Sequence, residues 1–329
     1  SSIEYSYQDH FTIEDEVIKA EPISTYQVKG GMMYDINSDV SVFFNTGMVE
    51  KAPIMDNVIY FDGTVASDPA NEKFLHNEFG VNYRFGKLGI NASAYNTDWQ
   101  DRNLTKSVTT GQGDSGDTDV IFLTGVNQKH SGVELETNYM ANDMLDLMFV
   151  ASFGNWKFDG DANGNYQETE YNSEGQAIGY TTTEYAYALD GLYVGDMPQT
   201  SYVLGVTLKP IKDLRIQAIH KMYDKNYSDW SPSAREFDGT NDDADRAQVW
   251  EAPSYNRLDL HMSYKLPKVK DLDMMLTANV FNVLDEVYVQ DAVDNSQYNG
   301  YGSKQHLPHN AEVFLGTPRY ANIGLSIGF

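Results

Sequence analysis

The segment Tyr320-Ala-Asn-Ile-Gly-Leu-Ser-Ile-Gly-Phe329 decides how the rest of the chain is read. Ile323, Leu325, Ile327 and Phe329 take every second place, with Asn322, Gly324, Ser326 and Gly328 between them. Successive strand side chains point to opposite faces, so one face here is wholly apolar and the other small or polar. A soluble β-sandwich strand can carry the same alternation, so the preceding sequence has to discriminate.

Working outward, the same pattern returns. Val28, Met32, Tyr34 and Ile36 alternate with Gln27, Lys29 and Asp35, and the turn Asn37-Ser38 leads into Val40-Ser-Val-Phe-Phe44. Phe79, Val81, Tyr83 and Phe85 alternate with Glu78, Asn82 and Arg84; after Gly86-Lys87 come Leu88, Ile90, Ala92 and Ala94. Val133, Leu135 and Tyr139, then Leu145, Leu147, Phe149 and Phe153, flank Ala141-Asn-Asp143. Tyr202 to Leu208 and Leu214 to Ala218 flank Pro210–Asp213; Leu258 to Tyr264 and Met274 to Val280 flank Pro267–Asp271. With an opening strand over Ile3–His10, about twelve strands in hairpins are expected. Many reach about ten residues, the length of a tilted membrane-crossing strand and long for a sandwich. Short and long connections alternate strictly, as in barrels with turns at one rim and loops at the other. The expected fold is all-β, a transmembrane antiparallel barrel.

Composition is compatible. The 329 residues hold 23 Tyr, 15 Phe and no Cys, with a formal charge of −25 and a mean hydropathy of −0.48. No run approaches the roughly 18 apolar residues of a helical span, whereas a barrel hides only alternate residues from water. Absent cysteine excludes disulfides, thiolate metal sites and cysteine nucleophiles. The low pI of about 4.4 argues against a nucleic-acid partner. Short turns carry Lys87, Lys209, Lys212, Lys268 and Lys270, while Phe158–Met197 is acidic without Lys or Arg. A second acidic loop surrounds Glu236, Asp238, Asp242, Asp243 and Asp245. Ser1 opens inside a strand-like stretch, so further segments are expected upstream.

Glu78, Arg84, Glu134, Glu136, Arg215, Lys221, Arg257, Asp259 and His261 fall opposite the apolar faces. A charge facing lipid near the midplane costs about 2–4 kcal/mol, so these nine are expected to line the interior. The seven histidines, His10, His76, His130, His220, His261, His306 and His309, form no local catalytic pattern, and no enzyme activity is expected. The stretch Asp159-Gly-Asp-Ala-Asn-Gly-Asn-Tyr-Gln-Glu-Thr-Glu170 satisfies D-x-[DN]-x-[DN]-G-x5-E. In a calcium loop of that spacing Asp159, Asp161, Asn163, Asn165 and Glu170 converge on one ion. A turn rich in Gly, Asn and Asp between strands is the competing reading. Trp99, Trp156, Trp230, Trp250 and several tyrosines fall at strand ends or in loops, where an aromatic girdle accounts for most. Tyr185, Tyr187 and Trp250 are candidates for stacking on a ligand.

Several stretches resemble TonB-dependent outer-membrane receptors of the Bacteroidetes type. They include Val28-Lys-Gly-Gly-Met-Met-Tyr-Asp-Ile-Asn37, Val42-Phe-Phe-Asn-Thr-Gly47, Glu78-Phe-Gly-Val-Asn-Tyr-Arg84 and Ala94-Tyr-Asn-Thr-Asp-Trp-Gln-Asp-Arg102. They also include Gly125-Val-Asn-Gln-Lys-His-Ser-Gly-Val-Glu134, Asn279-Val-Phe-Asn-Val-Leu-Asp-Glu286 and Gly316-Thr-Pro-Arg-Tyr320. The resemblance implies that residues 1–329 are the C-terminal portion of a 22-stranded barrel whose lumen holds a plug. It further implies integration in the bacterial outer membrane and active import of an oligosaccharide, a peptide or a metal chelate. Partners would be the protein's own plug, the inner-membrane TonB complex and a surface lipoprotein. A stand-alone barrel, a passive porin and a surface assembly or adhesion protein remain the alternatives.

Overall fold

Short turns set the architecture. Gly86, at φ +56°, supplies with Lys87 the left-handed step of a two-residue hairpin. Asn37 Oδ1 accepts the backbone N–H groups of Asp39 (2.8 Å) and Val40 (3.0 Å), and Asn142 Oδ1 accepts that of Met144 (2.8 Å). The computed structural model describes the chain apart from residues 1, 5, 9–16, 61–62, 68, 111–116, 176, 238–243, 269, 297, 301–302 and 329. His10, Asp238, Asp242, Asp243 and Phe329 therefore lie outside the described residues.

Thirteen strands organise the molecule: β1 (Gln27–Asp35), β2 (Val40–Lys51), β3 (Glu72–Phe85), β4 (Leu88–Thr110), β5 (Asp117–Asn142), β6 (Leu145–Phe158), β7 (Ala162–Tyr171), β8 (Ala177–Tyr187), β9 (Thr200–Leu208), β10 (Leu214–Asp224), β11 (Tyr255–Lys265), β12 (Asp273–Phe281) and β13 (Tyr320–Gly328). Eleven lie side by side, each antiparallel to its neighbour, in the order β13-β12-β11-β10-β9-β6-β5-β4-β3-β2-β1. The register separates two faces. Tyr34, Val42, Val81, Ala92, Leu135, Ala151, Tyr202 and Met222 form one continuous row. The next row on the opposite face is Ser41, Asn82, Asn91, Glu136, Val150, Val203, Lys221 and Arg257.

The apolar face is not covered by protein. Ile323 is 79% exposed, Met32 71% and Phe79 54%, which in water would be a prohibitive patch. Outward positions of β1–β6 hold no charged residue below a polar row of Thr46, Asn77, Asn96, Ser131 and Asn155. The row above that one carries Asp98, Lys129 and Lys157. Such an uncharged band suits hydrocarbon, with its outer edge at the polar row. No helix among the described residues is long and apolar enough to cross a membrane.

Three expectations are corrected. Among the described residues the opening segment does not join the main sheet: Ser2–Ile3 pairs with Ile23–Ser24, and Ser6–Gln8 pairs with Val17–Lys19, so eleven described strands run side by side where about twelve were expected. β4 and β5 span 23 and 26 residues and stand well beyond the apolar band. The acidic stretch after Phe158 is not a plain loop, because β7 and β8 form a hairpin in which β7 adds to the upper part of β5, Asn163 opposite Thr124 and Tyr166 opposite Ile121. The dry core sits in this outer cap, where Ile121, Leu123, Val126, Phe158, Tyr187, Leu189, Leu192 and Trp230 pack together. Fully burying such side chains contributes about 1.5–3 kcal/mol each, so the cap holds itself together without the lipid.

Candidate ligand site

Three rows of the inner face converge where β3, β4, β5 and β6 leave the apolar band. Glu78, Tyr95, Gly132 and Gly154 form the lowest; His76, Thr97, His130 and Trp156 lie above; Phe74, Trp99, Gln128 and Phe158 form the third. The two glycines leave room for rings to lie flat on the wall. A Cβ on Gly132 would meet Tyr95 Oη at 2.6 Å, and one on Gly154 would meet Trp156 Cε2 at 2.7 Å. Trp156 Nε1 then donates to Tyr95 Oη at 2.9 Å. Ring centroids continue the contact, 5.7 Å from Trp156 to His130, 6.4 Å from His130 to Trp99 and 4.5 Å from Trp99 to Phe74.

The histidines and the Trp99 indole at the rim are anchored. His76 Nδ1 lies 2.8 Å from Thr97 Oγ1 and His130 Nε2 lies 3.1 Å from Gln128 Oε1. Trp99 Nε1 donates to the buried Glu72 carboxylate at 3.3 Å, which also pairs with Lys51 at 3.1 Å. The Arg102 guanidinium lies 4.3 Å above the Trp99 ring. Phe74, His76, Glu78, Tyr95, Thr97, Trp99, His130, Glu134 and Trp156 line an open cavity of about 370 Å³.

Nine charged or polar residues expected to line the interior all lie on this face, but they do not gather into one site. Glu78 accepts from Asn45 Nδ2 at 3.0 Å, and Glu78 and Glu134 border the ring-lined cavity. Arg84 and Glu136 line a separate hollow of about 550 Å³ nearer the short turns, with Asn82, Asn91 and Asn138. Asp259 pairs with Lys221 at 2.9 Å and Arg257 at 3.7 Å and accepts the backbone N–H of Asn282 at 2.9 Å. His261 Nδ1 lies 2.9 Å from Asn279 Oδ1, and Arg215 stands beside the short turns. His220 lies instead in an outward row between Leu204 and Leu258, with Nε2 3.1 Å from Asn256 Oδ1.

The calcium set is dispersed. Asp159 pairs with Lys129 at 2.7 Å, and Asp161 receives a two-pronged pair from Arg246 at 2.9 and 2.7 Å. Asn163 and Asn165 lie on extended β7, where Asn165 donates to Tyr60 Oη at 3.1 Å, and Glu170 accepts from Thr181 Oγ1. A strand rises about 3.3 Å per residue, so this extended run carries Glu170 away from Asp159 and cannot wrap one ion. Among the described residues no group of three or more His, Asp or Glu is placed to hold a metal. In this fold, pairing with β5 and β8 holds the stretch extended.

Aromatic assignments also shift. Tyr187 is wholly buried in the cap core, 5.8 Å from Trp230, so it cannot stack on a ligand. Burial first, then the Glu236 charge, raises its hydroxyl pKa. Tyr185 is half-buried against Tyr166 at 6.1 Å, and Trp250 is half-buried with its carbonyl accepting from Ser228 Oγ at 3.0 Å. Trp99 and Trp156 face inward rather than serving an outer girdle. Strand phase was the available signal for the missed cluster: Thr97 and Trp99 share the inward parity of Tyr95, and Trp156 that of Gly154.

Two stretches that carried the family resemblance acquire a physical role. Asn282, at φ +48° and fully buried, donates to the carbonyls of Glu286 (2.9 Å) and Thr317 (3.2 Å). Asp285 accepts the backbone N–H of Arg319 at 2.9 Å, clamping the base of the loop between β12 and β13. Gly316 makes room for Tyr288, whose ring would lie 1.8 Å from a Cβ there and stacks on Tyr255 at 4.3 Å.

An antiparallel sheet that is greasy outside, polar inside and turned tightly at one rim is the wall of a transmembrane β-barrel. The chain belongs to the TonB-dependent receptor-like β-barrel family, whose model matches residues 5–283. That family comprises receptors and transporters rather than enzymes, and its barrels are outer-membrane proteins. Similar solved structures include the ferric-catecholate import receptor Fiu from E. coli K12, at 14% identity over 99% of this chain and 40% of that one, with a TM-score of 0.54. The copper transporter OprC matches at 15% identity over 96% of this chain and 41% of that one (TM-score 0.58). The ferric yersiniabactin uptake receptor FyuA from Yersinia pestis matches at 15% over 95% and 39% (TM-score 0.55). The chain thus spans about two fifths of these structures, and the likeness is one of fold. No curated protein matches the sequence.

Proposed function

We propose that this chain is part of the barrel wall of an integral outer-membrane receptor that imports a small solute under the drive of the TonB complex. Family membership and the transport roles named for its structural neighbours support the reading. The observation that carries it is the ring-lined cavity on the inner wall, above the apolar band and beneath the cap, where a solute entering from outside meets the lumen. In this reading the inner polar rows face the protein's own plug. The candidate cargoes stay an oligosaccharide, a peptide or a metal chelate, and a Bacteroidetes-type receptor would add a surface lipoprotein. The well-packed cap weighs against an open passive pore. Uptake by cells expressing the full-length receptor, with and without a functional TonB complex, tests the reading. Uptake lost with TonB supports it; equal flux in both cells assigns a porin, and no flux in either leaves a surface adhesion role.

A further inference from the structure

Resting on the importer reading, we infer that the ring-lined cavity recognises a cationic group, an alkylammonium or guanidinium borne by the ligand. The lining holds two carboxylates, Glu78 and Glu134, and no Lys or Arg. Glu134 is exposed and makes no hydrogen bond or ion pair among the described residues, and Glu78 accepts only from an amide, that of Asn45. The wall is short of donors. Both indole N–H groups are spent, on Glu72 and on Tyr95, and each histidine has a polar neighbour of its own. Beyond the Tyr95 hydroxyl proton, what the cavity offers is chiefly ring faces and acceptor oxygens, which positively polarised N–H or N–CH₃ groups match best.

Aromatic faces carry negative potential and attract cations, most strongly when water is excluded. The chain already uses one of these rings in that way: the Arg102 guanidinium rests on Trp99 with no carboxylate or carbonyl bonded to it among the described residues. Long-range charge acts in the same direction. A net charge of −25 draws cations toward the mouth and repels anions. A neutral sugar could stack on Trp156 and donate hydroxyls to Glu134, but it brings no counter-charge to the two carboxylates and gains nothing from the cation-attracting ring faces.

The test is equilibrium binding to the purified full-length receptor, followed by tryptophan fluorescence and calorimetry. The probes are trilysine and choline, against maltotriose and iron(III) tris-catecholate. Trilysine binding at least tenfold tighter than either comparator, weakening as salt rises, supports the inference; choline binding as well assigns a small-amine ligand, and trilysine alone a basic peptide. Glu134→Gln and Trp156→Ala are each expected to weaken trilysine binding about tenfold, with Lys212→Gln in a short turn leaving it unchanged. Retained heat-modifiable mobility in SDS gels verifies that each variant folds, and the salt and competitor series on the unaltered receptor stands without them. Tighter binding of maltotriose or the catecholate, or an unchanged affinity in folded Glu134→Gln, overturns it. Energised uptake of an anionic chelate by a receptor that binds no cation would refute this inference alone, whereas cation binding with TonB-independent uptake would refute the importer reading alone.

Discussion

His306 Nε2 lies 2.9 Å from an Asp245 carboxylate oxygen across 61 residues of sequence, tying the loop before β11 to the loop before β13. Its Nδ1 lies 2.5 Å from Asp294, and Arg235, fully buried, reaches Asp294 at 3.4 Å and the carbonyls of Asp245 and Ala247 at 2.8 and 2.7 Å. Two carboxylates, one guanidinium and one imidazolium sum to zero charge only while the imidazole keeps its proton.

Burial opposes that proton, yet the hydrogen bond and charge of Asp294, with help from Asp245, hold the His306 pKa above its ordinary 6.5 despite nearby Arg235. A folded pKa raised above the unfolded one gives stability that is complete below about 6.5 and lost as pH rises through the folded value. Hydrogen exchange and protease cutting in the two loops should therefore increase on going from pH 6 to pH 9. His306→Gln should be more open at pH 6, by about 1.5–3 kcal/mol for a charged hydrogen bond, and flat across the range. Equal protection of the unaltered loops at both pH values would show that folding does not raise the imidazole pKa, and greater protection at pH 9 that the buried ring is neutral.

Removing the cation has a larger effect. Arg235→Met leaves Asp245 and Asp294 facing one another in a dry site, a loss of about 3–5 kcal/mol. The cap should melt earlier by near-ultraviolet dichroism of Trp230 while the barrel keeps its resistance to SDS, because the two regions open separately.

Adjacent residues on β5 should respond oppositely. Val133→Arg places a charge in the outward band and should cost about 2–4 kcal/mol in folding into bilayers, and Glu134→Gln should cost almost nothing. Similar losses for both would mean that the faces have been assigned the wrong way round.

Trp99 and Trp156 should be reached by acrylamide and spared by brominated lipids. Single-tryptophan variants retaining one or the other provide the measurement, and strong quenching by the lipid bromines would return these rings to a membrane girdle.

Asp161 takes its charge partner from Arg246. The Arg246 hydrogen bonds, against partial burial and with help from the Asp190 and Leu189 amides, hold its carboxyl pKa below the usual 3.8. That depressed pKa contributes stability above the unfolded value and loses it as pH falls through the folded one. Arg246→Ala should cost about 1 kcal/mol or less at neutral pH, and a chelator should leave the melting curve of the unaltered protein where it is. A downward shift with chelator would restore an ion to this stretch.

Legibility differed by region. In the barrel wall the two-residue period is imposed by lipid on one side and polar surroundings on the other, so strand, phase and turn could be read directly from Phe79–Ala94. In the cap, burial is set by which loop lies over which. Thr105-Lys-Ser-Val-Thr-Thr110 extends a strand already begun, and Asp159–Glu170 meets a calcium pattern yet is drawn into a hairpin by its pairing with β5 and β8. Local composition cannot report a partner that lies tens of residues away.

From its sequence alone this chain is determined as membrane-crossing β-structure with a defined inside and outside, since alternation along a strand is a local property. Only the tertiary structure decided that Trp99, His130 and Trp156 share one wall, that Tyr187 is buried, and that His306 meets Asp245. Those relations depend on cross-strand register and loop docking, which bring together residues with no periodic relation in the chain.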